Sequence, residues 1–155
     1  MRQAFVFDKV AVLVFPWHEP MTPPERGARV EIRLLVDEGH RGSPSAAQRI
    51  VIDDPVFRAD LFDQVTAPPG NLRSAHFHPR FIGVEPSDRE WPEEIKTDPT
   101  GWLEARLSDL GQLLKESNVD VAGAPWVDVE AAAVRDALPS ITTAVEAAWT
   151  AARSQ

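Results

Sequence analysis

The chain has 155 residues, a formal net charge of -8, four histidines and no cysteine. The missing cysteine excludes disulfides, thiolate chemistry and Cys-based metal sites. The acidic balance, with arginines scattered among Asp and Glu, argues against a nucleic-acid partner. No apolar run approaches the ~20 residues that span a bilayer, and Asp8 and Lys9 interrupt the opening apolar run, so it does not read as a signal peptide. One cytoplasmic domain over residues 1-155 is the expectation.

From Ala4 to Phe15 both alternations are apolar, Val6, Val10, Val12 and Val14 against Phe5, Phe7, Ala11, Leu13 and Phe15. That pattern predicts one buried strand, bent near Asp8-Lys9. Pro16 to Pro24 holds four prolines in nine residues and predicts a loop. Val30, Ile32, Leu34 and Val36 alternate with Glu31, Arg33 and Asp37, the mark of a half-buried strand. A polar turn region follows at Gly39 to Ser45, then a short strand from Arg49 to Ile52 and a turn at Asp53-Asp54-Pro55.

Val56 to Val65 predicts a strand with Phe57, Ala59 and Leu61 on one side and Arg58, Asp60 and Gln64 on the other; Phe62 and Asp63 break the pattern. Pro68-Pro69-Gly70-Asn71 is a turn signal, and Leu72 to Arg80 alternates again, closing a long hairpin. Beyond Gly83 the pattern turns helical. Trp91 to Ile95 fits one helical turn, Asp98-Pro99 opens a helix striped by Leu103, Leu107, Leu110 and Leu114, and Asp128 is the expected cap of a second. The stripe Val134, Leu138, Ile141, Val145, Ala148 and Ala152 keeps its phase across Pro139, predicting one helix kinked there. Strands first and helices last predict an α+β fold: about five antiparallel strands (residues 4-82), packed on one face by two helices (92-153).

Residues alternate between the faces of a strand. The face turned from the helices is therefore expected to carry Glu31, Arg33, Asp37, Arg58, Asp60, His76, His78 and Arg80, open to solvent. These side chains recognise anions, bind metals or move protons. Two imidazoles two residues apart on a strand project the same way, so His76 and His78 can share a divalent metal, with Asp60 as third ligand or Glu85 in its place. Without a metal, a histidine oriented by Asp60 can act as a general base. Arg58, Arg80 and Arg33 are candidate grips for an anionic ligand, and the His40-Arg41-Gly42-Ser43 turn can hold an anion or be a plain polar turn.

The stretch Gly70-Asn-Leu-Arg-Ser-Ala-His76-Phe-His78 resembles the opening of the first cupin motif. The glutamate that motif implies four or five residues after its second histidine is replaced by Ile82 and Gly83, and the chain turns helical where a second motif needs strands. That resemblance covers one hairpin and implies no cupin fold. More broadly, HRGSPSAAQ, FRADLFDQV, AHFHPRFIGVEPSDR and DPTGWLEARL, within residues 30-114, resemble small conserved proteins of unknown function from actinobacteria. This second resemblance implies no activity.

Two functional expectations follow. One is a small-molecule or metal site, possible in an enzyme, with an anionic ligand and a divalent ion. The other is an interaction protein that holds a protein partner, or a second copy of itself, through the proline-rich loop, Trp17 and the acidic surface.

Overall fold

The computed structural model describes residues 1-154. Five antiparallel strands form one sheet in chain order: β1 (Gln3–Val6), β2 (Val10–Glu19), β3 (Glu25–Val36), β4 (Val51–Gln64) and β5 (His76–His78). A two-stranded ribbon, β6 (Phe81–Ile82) and β7 (Glu85–Pro86), follows. Then come α1 (Glu94–Thr97), α2 (Pro99–Ser108), α3 (Leu110–Glu116) and α4 (Trp126–Arg153). The α+β expectation is correct, with helices after strands and α4 lying across β2 and β3. None of the described helices is long and apolar enough to cross a membrane.

The core lies between sheet and helices. Val10, Val12 and Val14, then Ala28, Val30 and Ile32, then Phe57, Ala59 and Leu61 line its sheet side, all almost fully buried. The stripe Leu103, Leu107, Leu110 and Leu114 meets them, as do Val134, Ile141 and Val145. Asp98 caps α2 through Gly101 N, with Pro99 at the first turn. α3 ends at Asn118 in the left-handed region (φ 61°), where Val119 N donates to Leu114 O and Asn118 N to Lys115 O, a Schellman ending.

Several boundaries differ from the sequence expectation, each for a local reason. The first apolar stretch is two strands: Asp8-Lys9 is a hairpin turn, so Phe5 pairs with Val12 and packs on the core, while Val6 is exposed. The proline segment is strand only as far as Glu19; residues 20–24 form the expected loop. β2 outruns β1 beyond Val14, leaving Pro16 on an edge stretch where a missing N–H is tolerated. The expected turn at Asp53-Asp54-Pro55 lies inside β4. Register shifts between Ile32 and Leu35 absorb the extra residues, and Arg33 Nη1 donates to Asp53 O at 2.9 Å. β5 keeps only three residues of the expected Leu72 to Arg80 strand. Asp109 splits the first long helix by capping α3 through Gln112 N. α4 begins at Trp126, ahead of Asp128, and runs unbroken through the exposed Pro139.

Buried carboxylates make two of the ties that bind α4 to the sheet, beside the Trp149 Nε1 bond to Leu61 O at 2.6 Å. Glu130, only 3 % exposed, accepts hydrogen bonds from the backbone N–H groups of Asp8, Lys9 and Val10, at 3.2, 3.0 and 3.1 Å. Asp63, the charge out of pattern on β4, accepts from Gly70 N, Leu72 N and Arg153 Nε, fixing the β4–β5 turn and the end of α4 together. Glu130→Ala leaves three hairpin donors without their acceptor and is expected to destabilise by ~2–3 kcal/mol, lowering Tm by ~5–10 °C. Thermal denaturation followed by circular dichroism measures this. A loss below ~0.5 kcal/mol would mean that water serves those donors equally well.

Candidate functional site

Strand register builds the site in two rows across three strands. Arg29 on β3 stands opposite Asp60 on β4, which stands opposite His76 on β5. In the next row Glu31, Arg58 and His78 line up the same way. All six project from the face turned away from the helices, because their neighbours Val30, Ala59 and Phe77 occupy the core. Each guanidinium therefore has one carboxylate across the ladder and another two residues along its own strand.

Asp60 is the centre, 1 % exposed. Arg29 Nε lies 2.6 Å from its Oδ1 and Arg29 Nη2 3.3 Å from its Oδ2. Arg58 Nε approaches Oδ2 at 3.0 Å. His76 Nε2 and His78 Nε2 lie 3.4 and 3.8 Å from the same oxygen. The ligand atoms of Asp60, His76 and His78 all lie within 4.8 Å of one another. Burial alone would raise the Asp60 pKa, but His76, Arg29 and Arg58 outweigh it and hold the carboxyl at about 2.

Both imidazoles are oriented through their other nitrogen. His76 Nδ1 lies 2.7 Å from Ser74 O and His78 Nδ1 2.5 Å from Ser87 O. A carbonyl only accepts, so each Nδ1 carries the proton, and in the neutral ring Nε2 is a bare lone pair. Burial is the main cause of a His78 pKa lowered to about 4, with the Arg58 charge adding to it; the bond to Ser87 O opposes them. At neutral pH His78 is thus an acceptor at Nε2, and Arg58 Nη2 donates to it at 3.0 Å. His76 Nε2 is buried and has no hydrogen-bond partner among the described residues, its 3.4 Å approach to Asp60 falling outside hydrogen-bond geometry.

The expectation of an open face is overturned. His76 is 0 % and His78 4 % exposed, and the cover comes from the side opposite the helices. The segment after β5 folds back over the cluster. Phe77 and Glu90 exchange backbone hydrogen bonds, Arg89 pairs with the buried Glu25 at 3.4 Å, and Trp91 lies over His76 at 4.8 Å between ring centroids. Phe62, the apolar residue out of pattern on β4, packs edge-on against His76 and beneath Arg29. Imidazole and guanidinium edges that are paired within the cluster leave their faces free for aromatic cover, which is why such polar groups can be buried here.

The other expected residues scatter. Arg33 stays on this face, half-buried, with its guanidinium on Glu31 at 2.6 Å. Arg80 is exposed beyond β5 and borders a separate cleft with Pro86, Ser87 and Asp88. Asp37 is exposed and pairs with Lys9. Glu85 is exposed on β7 and outside the ligand cluster. His40 and Arg41 form a distant exposed turn, His40 Nε2 on Ser43 O and Arg41 on Glu38. Arg29 was not expected at the site. Extending the 31-33 alternation back to residue 29 would have placed Arg29 there, but Pro16 to Pro24 reads as a loop and conceals that β2 and β3 run further. Trp17 is a strand residue of β2, its ring 4.0 Å from the Arg29 guanidinium carbon.

No protein-family model, curated protein or solved structure matches this chain.

A depressed histidine pKa makes the unfolded chain bind the proton first. Stability of the metal-free protein should be level above pH 6.5 and fall between 6.5 and about 4 as unfolded His78 protonates. A second loss should follow between 3.8 and about 2, from Asp60. The first phase is expected to cost ~2–3 kcal/mol and to shrink in His78→Gln, read by urea denaturation at pH 7.5 and 4.5. Equal stability at both pH values would show that His78 is not held as a neutral ring.

Proposed function

We propose that the protein binds one divalent transition-metal ion through His76 Nε2, His78 Nε2 and Asp60, in the cytoplasm, and that any small-molecule chemistry it performs is centred there. One observation carries the reading: His76 Nε2 is buried without a hydrogen-bond partner among the described residues, and its ligand atom, that of Asp60 and that of His78 all lie within 4.8 Å of one another. When the His76 ring is neutral, three acceptors converge in a buried space and favour a cation among them. Both imidazoles are held by Nδ1–H bonds to carbonyls, the outer-shell arrangement that orients metal-binding histidines. Two imidazoles and a carboxylate suit Zn²⁺ or Fe²⁺ and leave coordination positions for water or substrate. The ligands need little proton loss at neutral pH, since His78 is neutral and Asp60 ionised.

A second reading has its own observation. Arg29 and Arg58 already engage both oxygens of Asp60, and Arg58 also occupies the His78 lone pair. In that reading the cluster is a closed ion network that only supports the fold, with a proton on His76 as its remaining link. The two readings differ in the role of Arg58. For a metal to enter, its guanidinium must leave His78, so it competes with the ion.

Calorimetric titration of metal-free protein with Zn²⁺ separates them. The metal reading expects one ion per chain, loss of uptake in His76→Ala and in Asp60→Asn, and uptake in Arg58→Met at least ~10-fold tighter than in the unaltered protein. If the unaltered protein and Arg58→Met both take up none, the closed network is the correct description.

A further inference from the structure

Beside the buried cluster the same face opens into a cleft of about 290 Å³, lined by Arg2, Leu13, Phe15, Trp17, Arg29, Glu31 and Arg33. Strand alternation makes it. Leu13, Phe15 and Trp17 are successive outward residues of β2, and Leu13 and Phe15 stand opposite Glu31 and Arg29 on β3. An apolar strip therefore runs alongside a charged one. Phe15 and Trp17 meet edge to face at 6.1 Å, and each carries a guanidinium over its ring, Arg2 at 5.0 Å and Arg29 at 4.0 Å.

The charges in the cleft run against those of the chain. The chain carries -8, yet the cleft presents three guanidiniums to one carboxylate. That carboxylate, Glu31, is already gripped by Arg33 through Nε at 2.9 Å and Nη2 at 2.6 Å. Arg2 is exposed and has no carboxylate partner among the described residues. Arg29, 6 % exposed, is held in place by Asp60 through Nε and Nη2, with the Glu19 carboxylate 3.9 Å from Nη2, while its Nη1 has no hydrogen-bond partner among the described residues. A guanidinium held this rigidly loses little freedom on gripping an anion, and the low-dielectric walls strengthen its field.

From this we propose that the cleft binds a small organic anion, a carboxylate or phosphate attached to a flat apolar body. The anionic group sits between Arg2 and the free edge of Arg29, and the body lies on Leu13, beside Phe15. The volume is at the small end for ligand pockets, which excludes a nucleotide-sized molecule and suits a single ring with its acid group. This site does not depend on the metal reading: none of its lining residues is a proposed ligand of the ion.

The test uses the full chain, metal-free, in a buffer without carboxylate or phosphate, so that its failure is distinct from a failure of the metal reading. Benzoate, phenyl phosphate, benzamide and inorganic phosphate are titrated while backbone and indole N–H resonances are followed by NMR. Benzoate or phenyl phosphate should saturate shifts at Phe15, Trp17 and Arg29, and the tighter of the two names the acid group. Benzamide, which keeps the ring without the charge, and inorganic phosphate, which keeps a charge without the ring, should each bind at least ~10-fold more weakly than that probe. Arg2→Gln, an exposed change, should weaken binding of that probe several-fold and leave Tm unaltered. No saturable shift with benzoate or phenyl phosphate overturns the proposal, and so does equal binding of benzamide or of inorganic phosphate.

Discussion

A carboxylate removed from water in the middle of a sheet requires partners from every direction, and Asp60 obtains them from strand register. Its cross-strand neighbours are Arg29 on one side and His76 on the other, and Arg58 reaches it along its own strand. Without those positive or donor groups an isolated buried charge would cost several kcal/mol, more than a domain of this size can lose easily. The rest of the face follows from this arrangement. Glu31 balances Arg58 in the next row, and Arg33 balances Glu31. Aromatic residues close over groups that are already paired.

The sheet thus divides its labour by face. The helical side is built of Val, Ile, Leu, Phe and Ala and supplies the burial that holds the fold. The opposite side holds most of its buried charge, and its cover comes from the segment between β5 and α1, not from helices. That cover is tied at His78, Phe77 and Glu25. The cluster is consequently buried, while the cleft next to it remains open. A preformed, oriented set of side chains with an adjoining opening is what ligand recognition needs, since little order has to be created on binding.

Much of this was legible in the residues, and where reading failed the cause is specific. Alternation placed Arg58, Asp60, His76 and His78 on one face because period-two patterning is strict once one face is a core. The leucine stripe and the stripe across Pro139 located the helices because burial repeats every three to four residues. Proline misled twice. Pro16 and Pro55 signal breaks locally, yet an unpaired edge and a bulge accommodate them, and neither condition is visible without the neighbouring strand. Phase inverted at Asp8-Lys9 because a hairpin turn and a bend have similar composition. Burial of the histidines was beyond local reading altogether. It depends on Trp91, thirteen residues past His78, folding back through a single backbone bridge.

The clamp made by Glu130 has a consequence for how the chain reaches this state. The donors it serves lie 120 to 122 residues away, at the first turn of the sheet, and Asp63 makes a similar tie to Arg153 across 90 residues. Local hairpins can form as the polypeptide emerges, but the first cannot complete its hydrogen bonding within the protein until the last helix arrives. Contacts of such long separation slow the final step and make it cooperative. Synthesis from the N-terminus therefore produces a half-finished sheet with one apolar side bare, and that side is shielded only when the closing helix leaves the ribosome.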